Sequence, residues 1–402
     1  KGSTAAMTFA IARAAGLRVG LYTSPHLVEI TERIRIADAQ STRDISQAEF
    51  AHYATEVRRL GERLIAEGTL TSVPSLFEQI TMLAFLYFAE QKIDLAVFEV
   101  GLGGRLDATN VCVPVVTAIT PIDYDHQRHL GYTLPEIAGE KAGIIKAGVP
   151  VIVAPQREEV FRVIRDRARE IGAPLLAIEH ELNSAPLFEV TAEDAPASAP
   201  NFGLCRLHYM HLQKAYDVPL GLRGRYQVTN ALTAIHLAEA MQQAGFPFTT
   251  AHIHAGLAQA EWPGRLEVLP LGEGRAPLLL DGAHNPAGAR VLRDFFSEFC
   301  WRIPVTLLFG VMNDKPFGEM EEILLPAATR VIAARVNNPR SANAGELAQQ
   351  AAALGYQVEE ADSVEAALRL ACDVTPAHGL ICACGSLYLV GEIKQLLAGQ
   401  AK

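Results

Sequence analysis

Asp94-Leu95-Ala96-Val97-Phe98-Glu99-Val100-Gly101-Leu102-Gly103-Gly104 decides the fold class. An unbroken apolar run this short, closed by glycines, suits a strand buried on both faces of a parallel sheet. Similar runs span Leu17 to Thr23, Val115 to Thr120, Val149 to Ala154, Leu278 to Asp281, Val305 to Phe309, Arg330 to Arg335 and Gly379 to Cys384. Between them lie amphipathic stretches ending near Gly or Pro, so the chain is α/β. Phe77, Ile80, Leu83, Ala84 and Tyr87 form a helical face over Leu76 to Gln91, and Thr133 ahead of Glu136 signals a capped helix.

A chain of 402 residues suggests two domains. The helical pattern stops at Trp262-Pro263-Gly264 and a new strand–helix alternation begins. The expected domains are therefore 1–262 and 263–402. Ala195 to Gly203 is a loop rich in Ala, Pro and Ser, and the polar stretch after it suits a small hairpin.

With 35 Lys and Arg against 45 Asp and Glu the formal charge is −10, which offers no footprint for nucleic acid or an anionic membrane. The six cysteines lack zinc or disulfide spacing, and no apolar run reaches bilayer length, so a cytoplasmic protein is expected. Cys382 and Cys384 share a strand face and belong to the core. Two histidine pairs, His208 with His211 and His252 with His254, lack partner ligands at metal spacing and are taken as surface or packing residues.

Several clusters could carry chemistry. Lys1-Gly2-Ser3-Thr4 opens a helix ending near Gly16 and matches the second half of a phosphate-binding loop; taken alone an ordinary capped helix is the better account, and the strand that follows, Leu17 to Thr23, shifts the balance modestly toward the loop. Lys1 is not a natural initiator, so residues are expected upstream, among them the glycine-bearing first half of such a loop. A chain lacking them is expected to bind ATP poorly, as nucleotide titration against an extended chain would test. Glu99, at the tip of its strand, could hold magnesium or be a surface carboxylate. The glycines after it do not make a dinucleotide fingerprint, because Leu106 fills the last required position. Thr120-Pro121-Ile122-Asp123-Tyr124-Asp125-His126-Gln127-Arg128-His129 brings an Asp/His cluster to the same sheet edge. In the second domain, Asp281-Gly282-Ala283-His284-Asn285-Pro286 is a strand-to-helix turn with Pro at the helix start.

In order along the chain, these segments resemble the folylpolyglutamate synthases and dihydrofolate synthases of the Mur ligase superfamily. The resemblance rests on Lys1-Gly2-Ser3-Thr4, Thr23-Ser24-Pro25-His26-Leu27, Phe77-Glu78, the Glu99 to Gly104 run, Asp125-His126, Glu140-Lys141-Ala142-Gly143-Ile144 and Gln227-Val228-Thr229-Asn230-Ala231. It continues through Pro263-Gly264-Arg265-Leu266-Glu267, the Asp281 to Pro286 turn and Cys384-Gly385-Ser386-Leu387-Tyr388.

The resemblance implies a P-loop-type, mostly parallel sheet domain that binds ATP, followed by a smaller Rossmann-like domain, with the active site in the cleft between them and a hinge near Trp262 to Gly264. It implies a monomeric bacterial-style ligase, expected to be bifunctional, that uses small-molecule substrates only: ATP, glutamate and a folate or dihydropteroate. It further implies that Lys1, Gly2, Ser3, Thr4, Asn230, Arg265 and Asp281 bind ATP. Ser3, Glu99, His126 and a carbamylated Lys141 would hold magnesium, two ions in all. Lys1, Lys141 and His284 would be catalytic. Ser24, Pro25, His26 and Phe77 would face the pterin, and Asn285, Ser386 and Tyr388 the glutamate.

Two other classes compete. A metal-dependent hydrolase built on Asp123, Asp125, His126 and His129 would turn over without ATP, and a nucleotide-gated switch would hydrolyse ATP regardless of folate.

Overall fold

The computed structural model describes residues 1–178, 188–192, 195–199 and 201–400. Within the expected Ala195 to Gly203 loop only Pro200 lies outside the described residues, and the others form turns and irregular backbone. The chain forms two compact units. The first comprises Lys1–Glu189, Leu207–Leu220 and Val228–Glu261, and the second Val190–Arg206, Gly221–Gln227 and Trp262–Lys402. Two short segments ahead of Trp262 thus group with the second unit, a detail without a compositional signature.

In the first unit α1 (Gly2–Ala14) leads into β1 (Val19–Tyr22), β2 (Ile34–Ala37) and β3 (Thr42–Asp44), then α2 (Gln47–Ala66), α3 (Leu76–Glu90) and β4 (Leu95–Phe98). These strands form a sheet of order β3-β2-β1-β4, in which β1 runs parallel to β4 and antiparallel to β2. The β2–β3 ribbon was not anticipated. Its short strands are held in register by an ion pair, Arg35 Nε to Asp44 Oδ1 at 2.7 Å, rather than by a long apolar run.

A second, all-parallel sheet follows, built from β5 (Thr117–Ile119), β6 (Val151–Val153) and β7 (Leu175–Ala177) in that order. Between its strands lie α4 (Gln127–Leu130), α5 (Leu134–Ala142) and α6 (Glu158–Ile171). Thr133 and Glu136 form the expected capping box of α5, which buries Ile137, Ala138 and Ala142 against Val151 and Val153. On the first sheet, α3 seats Ile80, Leu83, Ala84 and Tyr87 beside Tyr22 and Ile34, with burial of Ile80 and Leu83 contributing about 1.5–3 kcal/mol each.

After β8 (Phe188–Ala192), β9 (Cys205–His211) and β10 (Lys214–Pro219) come α7 (Tyr226–Gln243) and α8 (Thr250–Ala258). Gly256 lets α8 lie directly on α1, since a Cβ there would sit 2.4 Å from Ile11 Cα.

The second unit carries a six-stranded sheet of β11 (Glu267–Leu269), β12 (Leu278–Leu280), β13 (Val305–Phe309), β14 (Arg330–Ala334), β15 (Glu359–Ala361) and β16 (Leu380–Cys384). Its helices are α9 (Pro286–Phe299), α10 (Phe317–Leu324), α11 (Ala344–Ala353), α12 (Val364–Val374) and α13 (Leu387–Gln400). The spatial order β11-β12-β16-β13-β14-β15 inserts the last strand between β12 and β13. All neighbours are parallel except β11. Such an insertion makes a topological switch point, and ligands of open α/β sheets bind at the carboxyl ends of the strands there. Cys382 and Cys384 are fully buried in this core, as expected. Among the described residues no helix is long and apolar enough to cross a membrane.

Candidate active site

In the first unit the site grows from the tip of β4. Glu99 continues the ladder, its N–H donating to Tyr22 O at 2.8 Å, and its side chain is buried at 8 % exposure. Its Oε2 accepts from the Ser24 N–H at a long 3.4 Å. A carboxylate so buried and so lightly held suits a cation.

The following loop turns sharply because Asp107 gathers it. Asp107 Oδ2 accepts from the Gly101 and Leu102 N–H groups at 3.1 and 3.0 Å, while Oδ1 accepts from the Thr109 N–H and hydroxyl at 3.0 and 2.6 Å. Asp107 has no role that its sequence context alone declares, beyond being an acid that closes a glycine run. Glycine is needed at two places. A Cβ on Gly101 would lie 2.5 Å from Phe77 Cζ, and one on Gly104 would lie 2.9 Å from Glu140 O. The second contact seats the loop on the end of α5, beside Lys141.

Lys1 caps α1 and extends its Nζ to Val100 O at 2.8 Å and Gly101 O at 3.2 Å, so it rests on the loop that Glu99 begins. Ser3 and Thr4 are buried in the first turn after Gly2, and Thr4 Oγ1 donates to Asn230 Oδ1 at 3.0 Å. Burial, helped by the positive charge of Lys1 and opposed by Asp125, pushes the Lys141 ammonium down to about 8. Lys1 therefore rests on the loop that Glu99 begins, and Lys141 feels the charges of Lys1 and Asp125; the expected single sheet edge is instead two, because β4 and β5 belong to separate sheets.

His126, next to Asp125, is exposed on left-handed backbone (φ 50°), with Nε2 3.8 Å from Asp125 Oδ1. The expected hydrolase cluster does not form. Asp123 turns to the Tyr124 N–H at 2.9 Å and lies 3.7 Å from Arg157 Nη2, and among the described residues three-donor convergence is found only at His211, His236 and Glu239. Successive residues entering the short α4 splay apart instead of pointing to one centre.

Ser24 and Pro25 follow the tip of β1, and His26 Nδ1 accepts from Arg33 Nε at 3.0 Å. Burial and the Arg33 charge lower the His26 pKa. Phe77 packs against Tyr22, ring centroids 6.1 Å apart. A cavity of about 430 Å³ lined by residues 94–100 and 112–118 also reaches Lys1 and Thr4, but its walls are the apolar flanks of β4 and β5.

In the second unit the tips of β12 and β16 supply most of the remaining residues, with Arg265 ahead of β11 and Arg340 in the loop after β14. Asp281 is buried, and both its oxygens are occupied: Oδ2 accepts from the Leu266 N–H at 3.0 Å and Oδ1 from the Ala283 N–H at 2.9 Å. Burial raises its pKa, while Arg265 and these amides pull it down. Arg265 reaches Gly282, where a Cβ would lie 2.8 Å from Nη1. His284 Nδ1 donates to Gly282 O at 2.8 Å, which leaves Nε2 as the acceptor nitrogen.

Asn285 caps α9 through the Gly288 N–H at 2.8 Å. Buried Ser386 accepts from the Leu389 N–H at 3.1 Å, capping α13. Tyr388 is half exposed, and its hydroxyl accepts from Arg340 Nη2 at 3.0 Å. Arg340 lies far from the quoted motifs, so nothing in the sequence marked it.

A phosphate-loop-type unit with a strand-tip carboxylate, joined in sequence to a Rossmann-like unit, defines an ATP-dependent ligase of the Mur type. The Mur ligase middle domain matches residues 40–238, and the Mur ligase glutamate ligase domain matches residues 264–387. The chain belongs to the folylpolyglutamate synthase and dihydrofolate synthase family. It is 33 % identical to the dihydrofolate synthase/folylpolyglutamate synthase of Bacillus subtilis, over 99 % of this chain and 88 % of that protein. The folylpolyglutamate synthase of Mycobacterium tuberculosis complexed with ADP and AMPPCP superposes with a TM-score of 0.83 at 30 % identity, covering 98 % of this chain and 88 % of that one. The bifunctional enzyme of Yersinia pestis complexed with AMPPNP and a Mn ion gives 0.79 at 30 % identity, covering 99 % and 86 %.

Proposed function

We propose that this enzyme uses ATP to join L-glutamate to dihydropteroate and to folates already carrying glutamate. The observation that supports the proposal is Lys1 resting on the loop begun by the buried Glu99, with Lys141 close enough to Lys1 and Asp125 to feel their charges. The substrate carboxylate attacks the γ-phosphorus and ADP leaves. The glutamate amine then attacks the acyl carbon of the acyl phosphate, loses its proton, and phosphate departs as the amide forms.

Each residue has a part in that sequence. Lys1 exchanges its two carbonyls for phosphate oxygens, and the N–H groups of Gly2, Ser3 and Thr4 at the start of α1 face the same anion. Asn230, tied to Thr4, and Arg265, backed by Asp281, hold the nucleotide. Ser3, Glu99, His126 and carbamylated Lys141 would hold magnesium, two ions in the full site, which when bound disperse the charge of two approaching anions.

With its pKa near 8, Lys141 is about one-tenth neutral amine at pH 7, against roughly one part in 3000 for an ordinary lysine. That neutral amine adds to CO₂ and releases a proton, which turns a cation into an anionic oxygen ligand. His284 offers Nε2 toward the incoming amine. Asn285, Ser386 and Tyr388 face the glutamate, with the Arg340 guanidinium beside Tyr388 matching a carboxylate. Ser24, Pro25, His26 and Phe77 face the pterin. The six free cysteines suit a cytoplasmic setting.

The test is ADP release with each substrate omitted in turn, followed by product analysis with dihydropteroate and tetrahydrofolate offered separately. The proposal expects release only when an acceptor and glutamate are both present. Turnover without ATP, or ATP hydrolysis indifferent to acceptor, would overturn it.

A further inference from the structure

Beneath the β9–β10 hairpin, away from the strand-tip loop, lies a second cluster of donor atoms. His236 and Glu239 are three residues apart on α7 and so share one helix face, while His211 ends β9. Their side chains are 0 %, 4 % and 11 % exposed, respectively. His211 Nδ1 lies 2.7 Å from Glu239 Oε2, and His236 Nδ1 lies 3.6 Å from the same oxygen. The donor atoms of all three residues fall within 4.8 Å of one another.

The remaining polar atoms of the two α7 residues are already engaged. The Tyr216 hydroxyl donates to Glu239 Oε1 at 2.6 Å, and the Tyr209 hydroxyl pairs with His236 Nε2 at 3.0 Å. Lys214 Nζ stands 3.6 Å from Glu239 Oε1. Outer partners of this kind fix the tautomer and aim of metal ligands. Two imidazoles and one carboxylate are a zinc donor set, and zinc–ligand bonds of about 2.0–2.1 Å place tetrahedral donors roughly 3.3 Å apart. The observed 2.7 and 3.6 Å separations bracket that value.

We propose that His211, His236 and Glu239 form a site for a zinc-class divalent ion that clamps the β9–β10 hairpin to α7. The ion replaces the proton shared by His211 Nδ1 and Glu239, and His211 carries its proton on Nε2 instead. Because three protein ligands leave one position open, a water completes the shell. The clamp holds a hairpin whose turn is costly, since Leu212 and Gln213 both adopt left-handed backbone (φ 48° and 63°), where Asn-Gly is preferred.

The experiment is cobalt(II) titration of the chelator-stripped full chain, read by visible absorption, with zinc as competitor. One equivalent should give the intense band of a four-coordinate ion, abolished by zinc. His211→Gln and Glu239→Gln should each weaken cobalt binding by more than the roughly 10–100-fold that loss of an outer partner costs, and Tyr216→Phe should fall within that range. Glu99→Gln should keep the band, which separates this site from the ligase site. Circular dichroism verifies folding, and His211→Gln, at the hairpin's end, leaves α7 unaltered. No band in the parent chain, or a band that survives in a folded His211→Gln protein, would overturn the proposal and leave the cluster a hydrogen-bonded staple.

Discussion

Glu99 and Asp281 occupy comparable places in their units, each an acid at the tip of a parallel strand and within two residues of a glycine, although β4 is only partly buried where the sequence suggested burial on both faces and β12 is fully so; the fold treats the two acids oppositely. Glu99 accepts one long amide bond and faces the loop on which Lys1 rests. Asp281 accepts two short ones and holds Leu266 in left-handed backbone (φ 46°), with Arg265 alongside. The difference comes from where an organising acid is available. In the first unit Asp107 gathers the loop and releases Glu99, whereas in the second Asp281 organises its own turn. One acid is therefore available for chemistry, and the other for positioning.

Substitution should expose that contrast. Glu99→Gln is expected to lower kcat by about 100- to 1000-fold, roughly 2.7–4 kcal/mol of transition-state stabilisation. Lys141→Ala should lower it by a similar factor, with the circular dichroism of both variants matching the folded parent. Full activity in either would remove the ion-holding role. Asp281→Asn should act the other way round, costing about 1–3 kcal/mol of stability in a denaturant melt, because a buried amide loses its acceptor. Should that variant melt normally while losing activity, the positioning role is wrong. Gly104→Ala should cost about 1–3 kcal/mol, since its Cβ would press on Glu140 O, and should lower activity by shifting Lys141.

Smaller effects follow from Lys141 and Arg340. Burial favours the neutral amine of Lys141, so the folded state binds fewer protons than the unfolded chain between about pH 8 and 10.5. That group's contribution to stability is present above pH 10.5 and is lost as pH falls toward 8, a slope that Lys141→Ala should flatten. Activity assayed at pH 7 should fall on removal of CO₂ and bicarbonate and return on their restoration. Arg340→Ala should raise the glutamate KM by about tenfold, roughly 1.4 kcal/mol, with the ATP KM unchanged.

Much of this architecture was legible in the sequence, for particular reasons. Val305–Phe309 is a pure apolar run bounded by Pro304 and Gly310, and it forms the expected strand. Pro286 starts α9, and Thr133 caps α5. Each signal is local. The missed features depend on residues distant in the chain. The β2–β3 ribbon is held by a cross-strand ion pair, and Lys141 looks like any helix-end lysine until the Gly104 loop covers it. His211 reads as an isolated histidine in the sequence because His236 and Glu239, which it meets in the fold, lie on a later helix. Ser386 caps α13 through the Leu389 N–H, a local feature that the strand-to-helix turn itself makes.

Anomalous diffraction at the manganese edge, from crystals grown with Mn²⁺ and a non-hydrolysable ATP analogue, bears most directly on the ligase site. The account predicts a peak bonded to a Glu99 oxygen, with Lys141 density lengthened by a carboxyl group. A peak distant from Glu99, with Lys141 left as a plain amine, would contradict it.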